Sequence, residues 1–208
     1  MSKARAMSLV GPLTVLAGLM WMLASTGELV NLIEPASADT FWDLFWFYPS
    51  FLSLIPLLFA LIGARQRFQP SAGVPGRLGL ALSIAGCAGM IGTVLASLLL
   101  GLLAPESEQF PWFDYLMAAC LLGLMLGHFL FGVDALRYRL LPRWNLLPLL
   151  LSIAVVFRFA PQWLGLRNYH PLQLGAYFLH LAITGACWVL IGLALMDRGR
   201  EPQPDAAA

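Results

Sequence analysis

A chain of 208 residues with 60% hydrophobic and 11% charged side chains cannot build a water-facing surface, since soluble domains average about 25% charged residues. Its mean hydropathy of +0.78 makes lipid the solvent of most of its exterior. The formal net charge of +1 gives no reason to expect nucleic acid as a partner. Three cysteines without a CxxC pair suggest neither a disulfide framework nor a thiolate metal site.

Six apolar stretches follow one another, and the basic residues sort between their gaps. Lys3, Arg5, Arg65, Arg67, Arg77, Arg137, Arg139, Arg143, Arg198 and Arg200 fall on one side, and only Arg158 and Arg167 on the other. Basic residues are retained on the cytoplasmic face during insertion. The pattern therefore predicts an all-α bundle of six transmembrane helices with both termini inside, in the plasma (inner) membrane. Six spans at about 20 residues each use roughly 120 residues, which leaves short loops and two tails. Residues 1–7 read as a cytoplasmic tail, 8–198 as the membrane domain and 199–208 as a disordered tail. Lys3, Arg5 and the following apolar run resemble a secretory signal. The run continues past Ala24-Ser25 to Ile33, so it is expected to be retained.

Span one is expected over Ser8 to Leu32 and span two over Leu44 to Ala64. The aromatic group Phe41, Trp42, Phe45, Trp46, Phe47, Tyr48 and Phe51 reads as an interfacial belt on the outer face. Pro49 and Pro56 are expected to bend span two, with neighbours satisfying its carbonyls. An irregular inner loop is expected from Arg65 to Arg77, which holds Pro70, Gly73, Pro75 and Gly76. Span three is expected over Leu78 to Ala104, with Ala88, Gly92 and Ala96 as a stripe for close helix approach. Span four is expected over Tyr115 to Leu136, with Gly123 and Gly127 packing against span three. Span five is expected over Asn145 to Ala160 and span six over Leu172 to Met196. Cys87, Cys120 and Cys187 lie within apolar runs and read as packing residues.

The inner-loop phrase Leu141-Pro142-Arg143-Trp144 resembles one found in six-span bacterial membrane proteins of unassigned activity. That resemblance implies the topology and carries no mechanism.

Ionisable groups within the hydrocarbon are costly and mark function or structural pairing. Glu28 with Asn31 near the end of span one, Arg158 in span five, and Tyr177 with His180 in span six all fall in the outer half. Together they form a candidate ligand-binding cluster. Arg158 would take an anionic group, and Glu28 with His180 would move a proton. The structural alternative is a Glu28–Arg158 salt bridge, with Asp43 as a competing partner. Asp134 lies three residues before Arg137, a spacing that suits an ion pair. His128 reads as a hydrogen-bonded packing residue. A haem shared by His128 and His180 needs equal depth, yet they lie roughly 20 Å and 12 Å from the outer ends of their spans at about 1.5 Å per residue. Neither cofactor nor metal is expected, and motifs for a metalloprotease, serine hydrolase or P-loop are absent.

Two functional classes emerge. One is an accessory or structural subunit of a membrane complex, held to a membrane-protein partner through small-residue stripes. The other is a small-solute transporter or ligand-binding membrane protein with an outward-facing polar pocket.

Overall fold

The computed structural model describes residues 8–33, 49, 51–103, 112–141, 144–154 and 170–197. Both tails, at 1–7 and 198–208, lie outside these, as do Pro142 and Arg143. Among the described residues the chain is helical without strands. The helices are α1 (Val10–Ile33), α2 (Leu54–Phe68), α3 (Val74–Leu103), α4 (Trp112–Tyr138), α5 (147–154) and α6 (His170–Asp197). Segments of α3, α4 and α6 (Val74–Leu103, Tyr115–Tyr138 and Phe178–Met196) are long and apolar enough to cross a membrane.

Among the described residues many large apolar side chains face outward, and a set of polar ones is buried with the hydrophobic core. Leu16, Leu19, Leu23, Phe59, Leu95, Leu98, Leu102, Leu122, Leu126, Phe129 and Leu193 are exposed. Thr14, Ser25, Ser53, Ser83, Thr93, His128, Asp134, Ser152, His180 and Thr184 are buried. Water would penalise that arrangement, whereas lipid makes it cheap. Hydroxyls within the helices bond the preceding turn: Thr14 Oγ1 donates to the Val10 carbonyl at 2.6 Å and Thr93 Oγ1 to Gly89 at 2.8 Å. This back-bonding spares each hydroxyl an unpaired contact with hydrocarbon.

Two antiparallel pairs dominate the packing, α1 on α6 and α3 on α4, and α2 touches both α1 and α3. The first pair is set by glycines seven residues apart on each helix. A methyl group added at Gly18 would lie 2.6 Å from the Gly185 carbonyl oxygen, and one at Gly185 would lie 2.7 Å from that of Gly18. Gly11 and Gly192 repeat the relation, at 2.9 Å and 2.8 Å. Only hydrogen fits at these four positions, so the backbones approach closely and the register is fixed. In the second pair a methyl at Gly79 would lie 2.6 Å from the Gly127 carbonyl oxygen, and one at Gly86 would lie 2.5 Å from that of Cys120. Gly127 is packed against Ser83, and Gly123 makes ordinary contact with Gly86 at 3.9 Å.

Gly92 departs from the expected packing stripe. It is exposed, and a methyl there meets nothing within 4 Å among the described residues. The face of α3 that meets α4 runs through Gly76, Gly79, Ser83 and Gly86, and Gly92 lies off it.

The loop between α2 and α3 is shorter than expected. Arg65 and Arg67 complete α2, and Pro75, Gly76 and Arg77 belong to the first turn of α3. Proline is tolerated there because that N–H has no partner within the helix. The two prolines expected to bend span two, Pro49 and Pro56, flank a turn residue at Ser53, across which the Ser53 N–H to Pro49 and Leu57 N–H to Ser53 carbonyl bonds persist. The Cys87 thiol of α3 donates to the Leu54 carbonyl at 3.4 Å. Residues 41–48, which hold most of the aromatic belt, lie outside the described residues.

Replacing Gly18 by leucine forces side chain into the α6 backbone. Overpacking costs about 1–3 kcal/mol where neighbours can yield, and more where they cannot. Gly18→Leu is expected to lose at least about 2 kcal/mol of stability. Gly101→Leu, where a methyl meets no atom among the described residues, should stay within about 0.5 kcal/mol of the parent. Thermal unfolding in one detergent compares the two.

Candidate functional site

His180 is buried on α6, and its Nδ1 lies 3.1 Å from the Ala154 carbonyl oxygen of α5. The Trp21 ring of α1 meets it edge-on at 5.9 Å. One imidazole thus joins α1, α5 and α6, the three helices that carry the expected outer cluster. Glu28, Asn31 and Tyr177 lie on helical backbone, but their side chains are outside the described residues, as is Arg158 altogether. The structure places His180 at the meeting point of their helices and leaves contacts among the five side chains undescribed.

His128 occupies a second buried position. Its ring packs edge-on against Trp188 of α6 at 5.0 Å. It bonds the Leu124 carbonyl one turn back, while Nε2 has no partner among the described residues. The bond to Leu124 therefore belongs to Nδ1, which makes Nε2 the hydrogen-bond acceptor of that tautomer. His128 borders an apolar cavity of about 20 Å³ with Thr14, Phe68, Phe131, Trp188 and Leu195 among its walls. That is room for about one water. The level of Trp188 lies a little over two turns from His180, roughly 12 Å along α6. The two imidazoles therefore do not face a common iron position.

His180, Thr184 and Trp188 recur every four residues on α6. Trp21 Nε1 and Thr184 Oγ1, like His128 Nε2, are buried without partners among the described residues. These groups can bond a small guest such as water. No group of three or more metal-ligating side chains occurs among the described residues.

Two further polar contacts lie at the arginine-rich end. Asp134 of α4 is 1% exposed and accepts the Gly73 N–H at 2.6 Å. It therefore caps α3 from a neighbouring helix, where the helix dipole favours an anion. This replaces the expected ion pair with Arg137, whose guanidinium instead lies 5.5 Å from the Tyr138 ring centre. The carboxylate reaches Gly73 because glycines at 73 and 76 leave room for it. At the same end, Arg67 of α2 donates from Nη1 to the Leu195 carbonyl at 2.9 Å, a cation at the C-terminal end of α6. Sequence reasoning missed both contacts because they join residues 61 and 128 positions apart.

No protein family, curated protein or solved structure matches the chain.

Asp134→Ala strips the cap from α3 and buries the Gly73 N–H unpaired. A loss of about 1–3 kcal/mol is expected, with faster amide exchange at Gly73, and Asp134→Asn should recover part of it. His128→Leu removes an unpartnered buried nitrogen and is expected to hold or raise the unfolding temperature. A large fall in that melt would show that a guest is bonded at Nε2 in the folded protein.

Proposed function

We propose that the chain is a six-span, multi-pass protein of a bacterial inner membrane, and that it acts as an accessory subunit of a membrane complex. The observation that carries this reading is the outward face of α3. Ala85, Ala88 and Gly92 are all exposed there, beside exposed Leu95, Leu99 and Leu102. Small residues at three- and four-residue spacing let another helix approach closely in lipid. Inside this chain the same device joins α1 to α6 and α3 to α4, and at Gly92 on this face no described residue occupies it.

A second reading, a small-solute transporter or ligand-binding protein, draws on His180. That residue brings α1, α5 and α6 together, and helical periodicity returns position 28 to the face of Trp21. Glu28, Asn31, Arg158 and Tyr177 would then complete an outward polar pocket around it.

Co-purification from native membranes in mild detergent separates the two readings. The parent chain is expected to carry a partner in fixed ratio, identified by mass spectrometry. Gly92→Leu, where an added methyl meets no atom among the described residues, should keep the unfolding temperature within a few degrees and lose that partner. A parent that purifies alone, or a variant that retains its partner, contradicts the subunit reading. Arg158→Ala and Glu28→Ala would then be tested for loss of ligand-induced thermal shifts.

A further inference from the structure

Arg139 sits in the left-handed backbone region, with φ at 50°, unlike any other described residue except glycine. The Leu140 N–H bonds the Ala135 carbonyl at 3.1 Å, and both residues are buried. This is a Schellman closure of α4 with arginine at the position that glycine usually takes. A side chain there strains the backbone, and such strain is held where the residue serves a further role.

Its surroundings indicate that role. Arg77, Arg137 and Arg139 are all exposed. Arg77 folds back so that Nε donates to the Ala72 carbonyl at 2.9 Å. A methyl at the adjoining Gly73 would lie 3.1 Å from the Tyr138 ring, and Arg137 stacks on that same ring. Arg77 and Arg137 thus flank the contact between the start of α3 and the end of α4, and Arg139 follows at the close of α4. Asp134 is the single acidic side chain among those described, and it is buried on Gly73. Val74 and Leu78 lie within four residues of Arg77 on α3, Val133 and Leu136 within four of Arg137 on α4, and all four are exposed.

We propose that this end of the α3/α4 pair is a binding site for the headgroup of an anionic phospholipid. The phosphate would be held by Arg77, Arg137 and Arg139, with acyl chains along Val74, Leu78, Val133 and Leu136. Guanidinium forks match phosphate oxygens bidentately, and clustered basic residues at a membrane face attract anionic lipid. These exposed apolar side chains assign the phosphate to a lipid in preference to a soluble anion. The site is independent of the subunit and pocket readings.

Lipid retention on the full-length protein in mild detergent, followed by native mass spectrometry, tests it. Phosphatidylglycerol and phosphatidylcholine of matched chains are compared, with inorganic phosphate as a separate arm. Phosphatidylglycerol is expected to bind severalfold more tightly and to raise the unfolding temperature, while inorganic phosphate does neither. Arg139→Gly suits the left-handed position and should fold at least as well as the parent. It should nevertheless weaken phosphatidylglycerol binding about fivefold, with Arg139→Lys retaining most of it. Arg77→Gln and Arg137→Gln should each give a similar loss. Equal binding of the two lipids, or an unchanged preference in Arg139→Gly, overturns the proposal. A response to inorganic phosphate matching that to the lipid would assign the arginines to a soluble anion and overturn it equally.

Discussion

Close approach of antiparallel backbones at Gly11–Gly192 and Gly18–Gly185 is the constraint from which the rest of the arrangement follows. Lipid gives two apolar helices little reason to associate, because the hydrocarbon around them is as apolar as leucine. Association must come from contact area and from polar groups brought within reach. Glycines seven residues apart on both helices supply the contact, and they fix one register over two turns. That register sets Trp21 against His180, and α6 in turn presents Trp188 to His128 of α4. The buried polar positions are thereby arranged in relation to the glycine contacts.

The second pair, α3 with α4, uses the same device and adds an electrostatic lock. Asp134 is buried, and its charge is met by the start of a helix, where unpaired N–H groups and the helix dipole converge. A buried charge without such a partner would be prohibitive in this setting. Arg67 provides the opposite match at the end of α6. The two contacts tie α2 to α6 and α3 to α4 at the arginine-rich end. They also explain why arginines there divide into two kinds. Arg67 is half-buried and structural, while Arg77, Arg137 and Arg139 stay exposed. The membrane character shows in an exterior rich in leucine, with serine, threonine and histidine buried beside the hydrophobic core.

Much of the helix layout was legible in the chain, because hydrophobic runs and charged gaps are local features. The expected limits of span one, Ser8 to Leu32, and of span six, Leu172 to Met196, lie within two residues of α1 and α6. Errors arose where tertiary contact overrides local composition. Pro75 and Gly76 look like a loop, yet Asp134 caps the turn that contains them. The stripe at Ala88, Gly92 and Ala96 was legible, though not that Gly92 lies off the face that meets α4, while the seven-residue spacing of Gly11 with Gly18 and Gly185 with Gly192 went unread. That spacing was visible in the chain; what could not be seen was which helix lay opposite. The candidate site was legible only as residue types at similar depth. His180 meets α1 and α5 through Trp21 and Ala154, residues with no chemical signature to mark them.

Solid-state NMR on the unmodified chain in lipid bilayers, with carbonyl and Cα carbons of glycine labelled, tests the central claim most directly. The account predicts cross-peaks between the Gly18 carbonyl carbon and the Gly185 Cα, and between Gly11 and Gly192, from close contacts between α1 and α6. Absence of both, or cross-peaks pairing Gly11 with Gly185, would show a different register and contradict the arrangement from which the buried site is built.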